Sequence, residues 1–274
     1  MLRITSMLLV WTLMVLPAQA EITPEVQRLS NALGLVEIVD VMHAEGIAYG
    51  DELAESMFPG PISSDWRAVV TGIYNTDRME DVAINGFAES IASADVELLT
   101  QFFESALGAE IIALEISARL ALMDDAVDEA NNAHVAAMIE DDDPRIALID
   151  QFIEVNKLLE SNVVGALNSN YAFFTGLVDG GAYEDPLSDE EILREVWSQE
   201  ADIRKDTQEW LYGFLSMAYS PLSDEELMLY IKLSETPEGQ ALNNALFDGF
   251  DALFNAISHE LGLAAAREMS SEEL

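Results

Sequence analysis

Apolar residues recur at helical spacing along nearly the whole chain. Val26, Leu29, Leu33 and Val36 form one such stripe, and similar stripes lie in the ranges 192–217 and 242–261. This spacing places apolar side chains on one face of an α-helix. Alternating apolar and polar runs, which indicate strands, are nearly absent. We therefore predict an all-α multi-helix bundle of seven to nine helices joined by short loops.

Helix start signals support this prediction. Thr23 and Asp143 each precede a proline, which suits the first position of a helix. Ser188 and Ser223 each precede a glutamate by three residues, as in a capping box. The helix that begins after Asp143 is expected to run to about residue 178. Chain breaks are predicted at three glycine- or proline-containing sites, 59–61, 180–181 and 220–221.

Rare residue types recur at a constant separation of 131 positions. Trp66 corresponds to Trp197, Gly108 to Gly239 and Gly34 to Gly165 in one register. We interpret this as a tandem duplication of two helical units that pack together, 21–143 and 144–274. The alternative is coincidence between two segments of similar helical composition.

The first twenty residues have the pattern of a cleavable signal peptide. Arg3 precedes an apolar run over 8–16, and the small residues Ala18 and Ala20 stand before the expected cleavage site. The apolar run is too short to cross a bilayer, which takes about 20 residues, although an uncleaved anchor is the alternative. We expect export to a bacterial periplasm and no membrane span after cleavage. Asn168 and Asn170 argue against a span in the apolar segment 162–178.

The charge balance limits the classes of partner. The chain has 51 acidic residues against 12 basic ones, a net charge of −39, and no cysteine. Nucleic acid and anionic lipid would be repelled by this charge. A basic protein partner or diffuse divalent cations are compatible with it, but solubility is the favoured explanation. Half of the residues are apolar, so the chain is expected to fold around a core without disulfides.

One local pattern occurs in both predicted units. A bulky apolar residue is followed three positions later by Ser or Thr, and three positions after that by Gly, in the segments 102–108 and 233–239. With the acidic start after Ser223, this pattern resembles the bacterial exported family called domain of unknown function 2059. The resemblance is best over 188–262 and weaker over 64–130, where Ala106 replaces a proline of the family pattern. Leu233 and Ser234 replace its usual aromatic pair. The resemblance implies a helical fold and export, with no established activity.

A search for chemistry in the sequence finds no catalytic, cofactor-binding or metal-binding constellation. His43, His134 and His259 are far apart in the chain, and a local pair of His43 with Asp40 is the simplest interpretation. The acidic runs 124–125 and 141–143 lack the alternating spacing of a calcium loop. The run 141–143, just before Pro144, is expected at a helix start. No serine-nucleophile, phosphate-binding or dinucleotide motif is present.

Five further residues, two of them charged and three of them tryptophans, stand out in the sequence. Glu115 and Arg119 are four apart in an apolar helix and are expected to form a surface ion pair. The alternative is a partly buried pair that fixes how two helices cross. Trp66, Trp197 and Trp210 are expected in or near the core, with a ligand pocket as the alternative.

These observations leave three functional hypotheses. The leading one is a non-enzymatic binding or protein-interaction module. The second is a hydrolase that uses carboxylates or a metal, which would require polar side chains to converge in a pocket. The third is a carrier of a small apolar ligand, for which we expect a buried cavity lined by Phe102, Phe247, Phe250 and Phe254.

Overall fold

The computed structural model describes residues 22–91, 94–183 and 185–272, with side chains described through residue 270. The predicted signal peptide lies outside these residues. Thirteen helices and no strands occur in the described ranges, which confirms the all-α prediction. The helices are α1 Pro24–Ala32, α2 Leu35–Met57, α3 Ser64–Ile73, α4 Thr76–Ile91, α5 Val96–Phe103, α6 Ala106–Ala121, α7 Asp125–Glu140, α8 Pro144–Val155, α9 Leu158–Asp179, α10 Asp189–Ser198, α11 Glu200–Tyr219, α12 Asp224–Ser234 and α13 Pro237–Glu272. In the described part of the chain, no helix combines the length and the apolar character needed to cross a membrane.

The predicted helix starts are confirmed. Thr23 and Asp143 accept a backbone hydrogen bond at the starts of α1 and α8, each with a proline in the first turn. Ser188 and Ser223 form complete capping boxes at the starts of α10 and α12. Such caps satisfy backbone N–H groups that have no partner within the helix. The three predicted breaks also fall between helices.

The number of helices was underestimated because short breaks interrupt continuous apolar patterns. The helix expected from Asp143 to about residue 178 is two helices, separated at Asn156 and Lys157. Lys157 has a φ of 52°, which is left-handed backbone that no helix can continue through. Gly34 has a φ of 62° between α1 and α2. The apolar spacing is nearly the same on both sides of such a break, so it does not reveal one.

The long helix α13 is the central element of the bundle. It packs most extensively against α9 on one side and α4 on another. A Cβ atom added to Gly262 would lie 2.1 Å from the Phe173 carbonyl oxygen, and one added to Gly176 would lie 2.1 Å from that of His259. Helices α9 and α13 can therefore approach this closely only because glycine stands at both positions.

Two of the main groups of core side chains include residues from α13. One joins α2, α3 and α4 to Leu253, Ile257 and Leu261, and the other joins α1, α4 and α5 to Leu242 and Ala245. Smaller groups lie between α6, α8, α11 and α12, and between α9 and α10. The core is thus spread over several groups rather than one.

The tryptophans differ from one another in burial. Trp66 is 2% exposed and its indole N–H donates to the Gly50 carbonyl oxygen at 2.8 Å, as expected of a core residue. Trp197 is 63% exposed, so its predicted place in or near the core is wrong. It stands near the end of α10, on the side away from the buried residues Ile192 and Val196.

The predicted register of the duplication is only partly matched by the helices. The starts of α6 and α13 are 131 residues apart, and α5 and α12 end 131 residues apart. The starts of α1 and α8 are 120 apart, and those of α3 and α10 are 125 apart. Trp66 and Trp197 therefore occupy different places in their helices. The six helices before α7 and the six after it follow in a similar order of lengths, but the duplication of 21–143 and 144–274 stays a prediction.

Candidate functional site: a cavity between helices

A cavity of about 680 Å³ lies between α2, α6, α9, α11 and α13. Apolar and aromatic side chains make up most of its wall, and a small set of polar groups interrupts them. Both the size and this composition are typical of sites for small molecules. Its aromatic lining residues are Tyr49, Tyr74, Phe152, Trp210, Phe214, Tyr219, Tyr230, Phe247, Phe250 and Phe254.

Helix α13 supplies one aromatic face of the cavity. Phe247, Phe250 and Phe254 are three and four residues apart, so they lie on the same face of the helix. These three were expected to line a cavity, and they do. Phe102 was expected with them, but it stacks against Tyr230 with ring centroids 5.9 Å apart and is not part of the wall. That expectation was wrong because sequence does not show which helices face each other.

Helix α11 supplies the opposing aromatic pair. The rings of Trp210 and Phe214 are stacked nearly parallel, with centroids 5.1 Å apart. Trp210 is 42% exposed and Phe254 is 38% exposed, although both line the cavity. Large aromatic side chains are therefore accessible where the cavity meets solvent. Trp210 therefore lines a pocket, which was the alternative prediction, and does not lie in the core.

The carboxyl group of Glu115 is the most enclosed acidic group of the cavity wall. The Tyr219 hydroxyl, itself buried, donates to Glu115 Oε1 at 2.7 Å, and the Tyr230 hydroxyl also hydrogen-bonds to this carboxyl. Burial raises the pKa of Glu115 to about 7, and the two tyrosine hydrogen bonds oppose part of that rise. Glu115 can therefore gain or lose a proton near neutral pH.

Arg119 lies one helical turn from Glu115 but pairs with another residue. Its Nε and Nη2 atoms donate to Glu45 Oε1 and Oε2, each at 2.7 Å, in a bidentate pair that links α6 to α2. The predicted pair of Arg119 with Glu115 is therefore wrong, both as a surface pair and as a partly buried one. The partly buried pair that links two helices is formed by Arg119 and Glu45. The Glu115 side chain instead reaches the tyrosines of α11 and α12.

An asparagine contributes a hydrogen-bond acceptor to the wall. Asn156 is 4% exposed and lines the cavity. Its Nδ2 atom donates to the Phe152 carbonyl oxygen at 3.0 Å, and no residue in the described ranges donates to its Oδ1 atom. The Oδ1 atom of Asn156 is therefore available to a bound molecule.

The histidines do not converge. His43 Nδ1 contacts the Tyr74 carbonyl oxygen at 2.6 Å, so the predicted pair with Asp40 is wrong. His259 Nε2 lies 3.0 Å from Asp179 Oδ2, and His134 is exposed on α7. Across the ranges that the structure covers, no group of histidines and carboxylates is arranged to hold a metal ion.

Both acidic runs occupy helix starts, which was predicted for the run 141–143. Asp124 accepts hydrogen bonds from two backbone N–H groups at the start of α7, and Asp143 accepts one at the start of α8. Negative charge at this end of a helix is favourable. Their role is structural.

Sequence reasoning did not identify Glu45, Asn156, Tyr219 or Tyr230 as members of the site. They come from four different helices, α2, the end of α8, α11 and α12. None of the four carries a local sequence signal, since each is an ordinary residue in an amphipathic helix. Only the packing of the helices brings them to one cavity.

No protein-family model, curated protein or solved structure matches this chain. The resemblance to the domain of unknown function 2059 family therefore stays a prediction, and the functional argument rests on the cavity.

Proposed function

We propose that the protein is a non-enzymatic binding module that holds a small, largely apolar molecule in the cavity between its helices. The observation that carries this proposal is the aromatic lining of a cavity of about 680 Å³, with accessible rings where it meets solvent. Sites for small molecules are typically concave and mostly apolar, with a few polar groups that orient the ligand, and the cavity has this size and lining. Residues 1–20 support a periplasmic location for this activity.

The first experiment fills the cavity from one wall. Ala166 of α9 lines it, and the substitution Ala166→Phe places a ring in the space that a ligand would use. The matched control is Ala137→Phe on the exposed face of α7. Binding of the neutral fluorescent probe N-phenyl-1-naphthylamine to the purified protein is followed by its emission increase. We expect A166F to weaken binding at least about tenfold, as loss of about 1.4 kcal/mol does.

The control variant should bind the probe as the wild-type protein does. Circular dichroism at 222 nm checks that each variant is folded, and Ser169→Leu provides a second, smaller filling of the same wall if A166F does not fold. Equal probe binding by the wild-type protein, A166F and S169L would refute the cavity as the binding site. The absence of probe binding by the wild-type protein would refute the proposed function.

A second candidate is a hydrolase, and one observation favours it. Glu115 has a pKa raised to about 7, which is suitable for a general acid or base near neutral pH. A two-carboxylate mechanism also needs a second, independent carboxyl group. Glu45 is held by Arg119 in a bidentate pair and is poorly suited to that role. Asp251, which also lines the cavity and whose pKa is raised by burial, is the other carboxyl group of the wall. Turnover of ester, glycoside or peptide substrates that is lost in Glu115→Gln would establish the hydrolase and overturn the binding module.

A further inference from the structure

Resting on the proposed function, we infer that the ligand is a lipophilic amine, a molecule with an apolar body and one protonated nitrogen, and that fatty acids and other lipophilic anions are excluded. Three features of the cavity support this choice of ligand. They are its hydrogen-bond acceptors, its charges and its aromatic rings.

Each asparagine of the wall leaves its amide oxygen without a donor from the described residues. Asn162 and Asn243 each use Nδ2 to donate to a backbone carbonyl oxygen, at 2.8 and 2.7 Å, as Asn156 does at 3.0 Å. Asn170 donates to Gln199 Oε1 at 2.9 Å. The remaining oxygen of each amide accepts from no residue in the described ranges. A ligand that donates N–H groups satisfies these oxygens, whereas a carboxylate could accept only from the second N–H of each amide and would leave the oxygens unpaired.

The charges of the wall are also unfavourable to an anion. The cavity is lined by three acidic residues, Glu45, Glu115 and Asp251. Among the described residues of the lining, the one basic residue is Arg119. Both guanidinium donors of Arg119 that face Glu45 are already engaged by its carboxylate. A lipophilic anion in the cavity would therefore find no unpaired basic side chain among the described residues of the lining. An ammonium group would meet Glu115, whose other partners are two neutral hydroxyls.

The aromatic rings of the cavity are also favourable to a cation. Tyr219 and Tyr230 stand beside Glu115, and the rings of Trp210 and Phe214 are stacked near solvent. Aromatic faces attract ammonium groups, and Trp does so most strongly. The apolar body of the ligand fits the face formed by Phe247 and Phe250.

The test uses three molecules with the same twelve-carbon chain and different head groups. Dodecylamine, dodecanol and dodecanoate, each below its micelle concentration, compete with N-phenyl-1-naphthylamine for the full-length mature protein at pH 8 and constant ionic strength. We expect dodecylamine to bind at least about tenfold tighter than dodecanol, as an added interaction of about 1.4 kcal/mol produces, and dodecanoate to bind weakest. Equal affinity for the three head groups, or tightest binding of dodecanoate, would overturn the ligand class and leave the binding module intact.

The overall negative charge of the protein also attracts amines, and a pair of variants separates that effect from the site. Glu115→Gln removes the cavity carboxylate, and Glu110→Gln removes an exposed one from the same helix. We expect E115Q to weaken dodecylamine binding about tenfold while dodecanol binding is unchanged, and E110Q to leave both unchanged. If E115Q and E110Q lose dodecylamine affinity equally, the preference for amines comes from the overall charge of the protein, and this inference is overturned. If the neutral probe itself does not bind, the proposed function fails instead.

Discussion

The enclosed carboxyl group of Glu115 makes a specific prediction about stability and pH. In the unfolded chain its pKa is the ordinary value of 4.5, whereas burial raises it to about 7 in the folded protein. Between these two values the folded state keeps a proton that the unfolded state has released. The free energy of unfolding should therefore fall as pH rises from about 4.5 to about 7. The contribution of Glu115 is fully present below the lower value and is lost above the higher one.

The size of this effect follows from the two pKa values. Each pKa unit corresponds to about 1.4 kcal/mol, so the difference between 4.5 and about 7 corresponds to about 3 kcal/mol. The substitution Glu115→Gln has nearly the shape of the protonated side chain and can still accept the hydrogen bond from Tyr219. We expect E115Q to be more stable than the wild-type protein by about 3 kcal/mol at pH 8, and by less than about 1 kcal/mol at pH 5.

Urea unfolding at pH 5 and pH 8, followed by circular dichroism at fixed ionic strength, measures the difference. With an m-value of about 3 kcal/mol/M, the midpoint of E115Q at pH 8 should be about 1 M higher than that of the wild-type protein. Glu110→Gln, on an exposed position of the same helix, controls for the removal of one negative charge. The same midpoint for E115Q and the wild-type protein at both pH values would refute the reasoning, because it would mean that the Glu115 carboxylate is well solvated or fully compensated.

Two further predictions concern packing and hydrogen bonding. The substitution Tyr219→Phe removes the hydroxyl that donates to Glu115. It should lower the free energy of unfolding by about 1–3 kcal/mol in urea titrations at pH 8. An unchanged urea midpoint would show that this hydrogen bond contributes nothing to stability. The substitution Gly262→Ala should cost about 3 kcal/mol or more, because its Cβ would lie 2.1 Å from the Phe173 carbonyl oxygen. The control is Gly72→Ala in α3, where the new Cβ atom has open space around it, and it should stabilise the protein by about 0.4–1 kcal/mol. Similar melting temperatures for G262A and G72A would contradict the close packing of α9 and α13.

Features that depend on local chemistry could be predicted from the sequence. The caps at Thr23, Asp143, Ser188 and Ser223 act within one turn of chain, so the residues that form them are neighbours in the sequence. Thr236, which accepts the Gly239 N–H at the start of α13, is a local cap of the same kind. Helical periodicity likewise needs only the spacing of apolar residues.

Features that depend on which helices meet could not be predicted. Arg119 was assigned to Glu115 because the two are one turn apart, but its partner Glu45 is 74 residues away. Lys157 adopts left-handed backbone within a continuous apolar pattern, although nothing in its residue type favours that conformation. The aromatic face of Phe247, Phe250 and Phe254 was correctly associated with a cavity. Its polar end was missed because Asn156 and the two tyrosines come from separate helices.

The central position of α13 has a consequence for the order in which the protein can fold. A chain is synthesised from its N-terminus, and α13 follows every other described helix. Until residues 237–272 are available, two of the main core groups lack Leu242, Leu253 and Leu261, and the cavity lacks its phenylalanine face. The earlier helices would then expose apolar surface that only α13 covers. The core groups that include α13 therefore stay open until this last described helix is made, and the same helix completes the wall of the cavity.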